Sequence, residues 1–160
     1  MIIFDIEASG LSGDSYPIQI ALYDPERDQC LVEYIRPHDT WTYWDEVAEN
    51  IHGIPRELLY DIGKPINEVV TNVINFMKQS NTHKLYCDAP DFDGFWLSRL
   101  YNASTVDCNV WPVEVLHVIN LCKYEEEAQH LIHIMQEQDR PHDALEDCKL
   151  IWDAVRTATN

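Results

Sequence analysis

Apolar and polar positions alternate through residues 1–35 in a pattern that reads as three strands. Met1–Ile6 is an apolar run, Ile18–Tyr23 is a second strand, and Cys30–Ile35 is a third with clear alternation. The turn elements Ser12–Gly13–Asp14 and Asp24–Pro25 separate them. A polar segment over 36–50 follows, carrying Trp41, Tyr43 and Trp44. Trp41 and Trp44 are expected to cover the sheet edge. The period then lengthens. Pro55 suits a first helical residue and opens a helix toward Tyr60. A second helix over Pro65–Gln79 places Ile66, Val69, Val70, Val73, Ile74 and Met77 on one stripe. Lys84–Cys87 is a short candidate strand, and Phe92–Asn102 carries Phe95, Trp96, Leu100 and Tyr101 at helical spacing. A further strand is expected near Val110–Val115, although Pro112 interrupts it. Helices over Glu125–Gln138 and Asp143–Thr157 close the chain. A hairpin meander followed by alternating helix and strand predicts an α/β fold, with helices packed on the faces of a mixed sheet.

The chain has 160 residues, of which 46% are hydrophobic and 24% charged, a globular composition rather than a disordered one. One domain over residues 1–160 is expected, because no Pro/Gly/Ser-rich stretch divides it. That length buries roughly 70% of the unfolded surface, so the core needs no disulfide or zinc. No apolar run approaches the ~20 residues of a membrane span. The opening MIIFDIEAS reads as an acidic strand rather than a secretion signal. Its five cysteines form no C-x-x-C pair and suit a reducing, cytoplasmic setting.

Charge changes the picture most. Eleven Lys and Arg against 28 Asp and Glu give a formal charge of −17. Such a surface repels polyanions, which excludes wrapping duplex nucleic acid over a basic face. Any grip on nucleic acid should be local, on a few nucleotides, and mediated by metal ions.

Three acidic constellations suit that chemistry. Asp5 and Glu7 stand at i and i+2 on or just after the first strand, so their side chains point the same way. Amid apolar neighbours they call for compensation, and a hard divalent cation supplies it. Ser9–Gly10–Leu11 then makes a tight turn whose backbone can approach a ligand closely. In Asp143-Ala-Leu-Glu146 the spacing matches a capping box, with Asp143 as N-cap. That register sets His142 just outside the helix against Asp147 in its first turn, positions ordinarily filled by an apolar staple. The third constellation, Asp88-Ala-Pro-Asp-Phe-Asp93, links a strand to a helix, and Asp88, Asp91 and Asp93 compete for a functional role. Asp91 is expected to be the cap of that helix.

D-I-E-A-S-G-L (5–11), F-D-G-F-W-L (92–97) and H-D-A-L-E-D (142–147) together resemble the three motifs of the DEDDh 3′–5′ exonucleases. Ile51-His-Gly-Ile-Pro also resembles that family's I-H-G-I-T segment. The resemblance spans nearly the whole chain in the right order. It implies a ribonuclease H-like fold, with a central mixed five-stranded sheet whose N-terminal meander is antiparallel. It implies Asp5, Glu7, Asp93 and Asp147 as ligands of two Mg²⁺ or Mn²⁺ ions, and His142 as general base. Ser9, Gly10, Leu11 and His52 would meet the terminal nucleotide. One departure is that the second motif reads D-A-P-D-F-D, a residue longer than the usual N-A-x-F-D.

Phosphodiester hydrolysis needs an activated water, a neutralised phosphate and a stabilised leaving oxygen, and two cations ~4 Å apart supply all three. The expected activity is removal of nucleoside 5′-monophosphates from single-stranded 3′ ends of DNA or RNA. The chain would act alone, as a homodimer, or as a subunit of a larger nucleic-acid-processing assembly. Two rivals remain at this level: a ribonuclease H-like partner-binding module that does not cut, and a haloacid dehalogenase-type phosphatase, whose D-x-D-G-T contrasts with D-x-E-A-S here. His117, His130 and His133 lack acidic or cysteine partners at ligand spacing and are expected on helix surfaces.

Overall fold

The computed structural model describes residues 1–107 and 114–160. The first three strands run over Ile2–Ala8 (β1), Pro17–Asp24 (β2) and Gln29–Tyr34 (β3). Helices α1 (Glu46–His52), α2 (Arg56–Asp61) and α3 (Ile66–Gln79) precede β4 (Lys84–Cys87). Then come α4 (Pro90–Asn102), β5 (Glu114–His117), a 3-10 turn over Val118–Leu121, α5 (Glu125–Glu137) and α6 (Ala144–Thr159). The strands form a five-stranded sheet in the order β3-β2-β1-β4-β5. β1–β2 and β2–β3 pair antiparallel, whereas β1–β4 and β4–β5 pair parallel. This is the mixed sheet with an antiparallel N-terminal meander that the sequence predicts.

Alternation along β1 sorts its side chains between two cores. Ile2, Phe4 and Ile6 join the larger core with α3 and α4, where the whole α3 stripe is buried. Ile3 joins the smaller core on the opposite face, with Leu131 of α5 and with Cys148, Ile151 and Val155 of α6. Helices on both faces therefore make β1 a central, doubly covered strand. Its odd-numbered side face continues from Ile3 to Asp5 and Glu7, which sets both carboxylates toward α6.

Several expectations change in detail. The polar segment over 36–50 ends in α1, which pattern alone did not reveal because seven residues are too few to establish a period. Asp45 caps that helix, accepting from Val47 N–H at 2.9 Å. Pro55 and Pro65 are N-cap residues rather than first helical ones. Asp91 is not a cap: Ala89 occupies that position, and Asp91 lies within the first turn of α4. β5 covers Glu114–His117, and the rest of the strand expected near Val110–Val115 falls outside the described residues. His117 ends that strand and caps the 3-10 turn, its Nδ1 accepting from Ile119 N–H, while His130 and His133 are exposed on α5. Trp41 is buried and stacks on Tyr16 with ring centroids 5.3 Å apart, so it belongs to the core. Among the described residues, no helix is long and apolar enough to cross a membrane.

Candidate active site

Five acidic side chains and one imidazole gather at the carboxyl ends of β1 and β4, the edge where α/β sheets usually carry their ligands. β1 contributes Asp5 and Glu7, and α6 lies across the face they share. Asp147, the fourth residue of α6, is buried against them. Asp93 is the fourth residue of α4 and is also buried, while Asp88 follows β4 directly. Ligand atoms of Asp5, Asp88 and Asp93 lie within 4.8 Å of one another, and so do those of Glu7, His142 and Asp147.

A shift in the β1–β2 pairing between Glu7 and Ala8 turns the strand end at this point. Gln19 on β2 pairs with Glu7, and its buried amide oxygen accepts from Ala144 N–H at 3.4 Å. This contact joins the start of α6 to the sheet. Asp143 caps α6, accepting from Leu145 N–H and Glu146 N–H at 3.2 and 3.1 Å. The capping box is half used, since Glu146 instead bonds Lys149 at 2.7 Å. Before the cap, His142 holds a left-handed φ of 52°. For a side chain larger than glycine such a conformation is uncommon, and Asp28 and Asn81 are the other residues that adopt it among those described.

The electrostatics of the site suit a cation. Burial, then Asp93 and Glu7, push the Asp5 carboxyl well up. Burial, then Asp147 and Asp143, push Glu7 up to about 7. Burial, then Asp88, push Asp93 up to about 8. Asp147 is raised by burial against the lowering pull of Arg140 and His142. One oxygen each of Asp93 and Asp147 is buried with no hydrogen-bond partner. Buried, mutually repelling, unpartnered carboxylate oxygens are the donor set of a hard divalent cation, so the residues fit such ions.

Beside the carboxylates lies a hollow of about 220 Å³. Glu7, Gly10, Leu11, His52, Trp96 and His142 line it among others. Leu11 is 73% exposed and separates it from a second hollow of about 210 Å³ under Phe92 and Phe95. Gly10 has a φ of 148°, and a Cβ there would lie 2.8 Å from the Tyr43 ring. Only glycine fits that turn. Ser9 is fully buried, and its hydroxyl accepts from Tyr16 N–H at 3.1 Å, so it shapes the turn from behind. α4 braces the same loop, through Trp96 Nε1 to Ser15 Oγ at 2.9 Å and Arg99 to the Gly13 carbonyl at 3.1 Å. His52 Nδ1 accepts from Ile54 N–H at 3.0 Å, while its Nε2 is buried without a partner. Burial lowers its pKa first, with the neighbouring His142 adding to the effect against Glu49. The neutral ring thus carries its proton on Nε2.

Two residues at the site were not foreseen from the sequence. Gln19 gives no signal in a strand pattern. Arg140 precedes the third motif by two residues, and its ion pair with Asp88 depends on a contact between distant segments.

Residues 2–159 match the 3′–5′ exoribonuclease Rv2179c-like domain. Among solved structures, the chain is similar to Escherichia coli exonuclease I in a zinc-bound complex with single-stranded DNA. That match has a TM-score of 0.69 and 16% identity, over 99% of this chain and 39% of the other. The nuclease domain of 3′hExo, a DEDDh family member bound to rAMP, matches with a TM-score of 0.64 and 18% identity, over 98% and 90%. A 3′-exonuclease that recognises the histone mRNA stem-loop matches with a TM-score of 0.62 and 17% identity, over 99% and 63%. The chain thus spans about two fifths of exonuclease I. Among curated proteins, none matches the sequence. With its ribonuclease H-like sheet, its DEDDh residue order and a family match over nearly its whole length, the chain belongs to the Rv2179c-like family of 3′–5′ exoribonuclease domains.

Proposed function

We propose that this chain, as a single domain over residues 1–160, hydrolyses single-stranded nucleic acid from the 3′ end and releases nucleoside 5′-monophosphates. Asp5, Glu7, Asp93 and Asp147 would hold two divalent cations, Mg²⁺ or Mn²⁺. The observation that carries this reading is the packing of those carboxylates, with unpartnered oxygens on Asp93 and Asp147, beside one exposed imidazole. RNA is the substrate class favoured by the description of the matched family. A cytoplasmic setting is part of the same proposal, supported by cysteines scattered without a pairing pattern.

When bound, the cations would neutralise the scissile phosphate, activate the attacking water and stabilise the departing 3′ oxygen. His142 takes the water's proton. Its place on the rim, between Glu7 and Asp147, lets the imidazole reach solvent and site together. His52 donates its Nε2 proton to an oxygen of the terminal nucleotide, a partner that no described residue supplies. Leu11 and the Gly10 backbone face the terminal base, and Ser9 keeps their turn in shape.

The test uses end-labelled single- and double-stranded RNA and DNA oligonucleotides, with Mg²⁺ or Mn²⁺ and with chelator. Mononucleotides should appear progressively from single-stranded 3′ ends, RNA ahead of DNA. Chelator, or Asp5→Ala in a folded protein, should abolish them. Robust cleavage in chelator would sink the two-cation reading.

A further inference from the structure

The site holds one more carboxylate than two divalent cations balance. Asp5, Glu7, Asp88, Asp93 and Asp147 carry about −5 when ionised, against +4 from two such ions. Asp88 sits as close to Asp5 and Asp93 as a ligand would, since one oxygen of each lies within 4.8 Å of the others. Proximity alone therefore makes it a candidate for the inner cation site.

The Arg140 guanidinium stands against it. Arg140 lies in the connection from α5 to α6 and forms an ion pair with an Asp88 carboxylate oxygen. Both side chains are largely withdrawn from solvent, at 22% and 15% exposure. Asp147 and Asp5 also lie within the field of the same guanidinium. Among the described residues, no other Lys or Arg forms an ion pair with any of the five carboxylates. A guanidinium does not deprotonate in proteins, and its planar fork suits a carboxylate. It is thus a permanent positive charge built in beside sites that fill and empty.

We infer that Arg140 is the counter-ion that withholds Asp88 from the cations, so that four carboxylates and not five are left to hold them. With Arg140 included, five negative charges meet five positive ones. The same pair joins the strand end after β4 to the connection two residues before His142. Arg140 is therefore a positioning residue, acting on cation affinity through Asp88. This rests on the two-cation reading proposed above.

Titration calorimetry with Mn²⁺ alone and no nucleic acid tests it. Arg140→Gln frees Asp88 to bind, and should tighten Mn²⁺ by roughly tenfold to a hundredfold, the scale on which partners of metal ligands act. Asp88→Asn leaves the guanidinium uncompensated near Asp5 and Asp147, and should weaken Mn²⁺ on the same scale. The double variant Arg140→Gln/Asp88→Asn should return to within about threefold of the wild type, because charge leaves in a matched pair. If Asp88 were a ligand, the double variant would remain weak. If the pair were only a tether, Asp88→Asn would not change Mn²⁺ affinity. Either result overturns the inference. The double variant keeps a neutral, hydrogen-bonding pair, so it decides the matter even if Arg140→Gln does not fold. A wild-type protein that binds no Mn²⁺ would overturn the two-cation reading itself, a different outcome from binding that ignores Asp88 and Arg140.

Discussion

Helices α4 and α6 each deliver an aspartate, Asp93 or Asp147, at the fourth helical residue, yet the chain approaches them differently. In both, the aspartate donates its backbone N–H to the cap carbonyl at 2.9 Å, and its carboxylate lies in the first turn, where the helix dipole favours negative charge. At α6 a side-chain cap, Asp143, satisfies two N–H groups, and His142 is held outside it with a left-handed backbone. At α4 there is no side-chain cap, and the preceding acid, Asp88, is paired with Arg140 from the approach to α6. One helix start thus sets an exposed imidazole beside its buried aspartate, and the other sets a guanidinium-paired carboxylate there. Similar local geometry thus acquires different neighbours because the chain before each helix differs.

The sharpest way to break this contrast is to remove one interior carboxylate. Asp93→Asn should cost more in rate than the loss of the base, with Mn²⁺ affinity falling in parallel by calorimetry. His142→Ala should lower the rate by roughly 10²–10⁴-fold, the usual contribution of a general base. It should leave Mn²⁺ affinity and binding of a 3′ end close to wild type. If His142→Ala abolished Mn²⁺ binding, the imidazole would be a ligand and the two helix starts would do the same job.

The two helix starts also differ in how far the sequence revealed them. His142 against Asp147 follows from a capping register within six residues, and the structure puts ligand atoms of the two within 4.8 Å of one another. Asp93 needed the F-D-G-F-W-L match, since Asp88, Asp91 and Asp93 look alike to local rules. The N-terminal meander and the α3 stripe were legible because each depends on period and burial. The α1 helix was not, because its seven residues hold only Val47, Ala48 and Ile51 as apolar positions, too few to establish a period. Gln19 and Arg140 were hidden for another reason. Their partners, Ala144 and Asp88, are far away in sequence, and no periodicity reports a contact of that kind.

A smaller effect concerns pH in the cation-free protein. Glu7 is pushed up to about 7 and Asp93 up to about 8. Acids that keep protons in the fold beyond their ordinary range favour the folded state at low pH. That stabilisation is present below the ordinary carboxyl range and is lost as pH rises through about 7 to 8. In chelator, the melting temperature should therefore fall between about pH 5 and pH 8, and added Mn²⁺ should restore it. Asp93→Asn should flatten the fall, because one of the repelling charges is gone. A melting temperature that rises over that range would contradict the interior charge crowding.

The smallest effects separate caps from bystanders. Asp143 accepts two N–H groups at the start of α6, so Asp143→Ala should cost about 1 kcal/mol and lower the melting temperature by roughly 2–4 °C. Because the cap also fixes the residue before it, cleavage should fall too, while Mn²⁺ affinity stays near wild type. Asp91 is exposed in the first turn of α4 and makes no cap. Asp91→Asn therefore removes only a favourable dipole contact, at most ~0.5 kcal/mol, and should leave cleavage within about twofold. Thermal melts and single-turnover rates on the two variants give the ranking directly. Were Asp91→Asn the more damaging, the Asp91 charge itself would serve the site, since asparagine caps a helix as well as aspartate, and the contrast between the two helix starts would disappear.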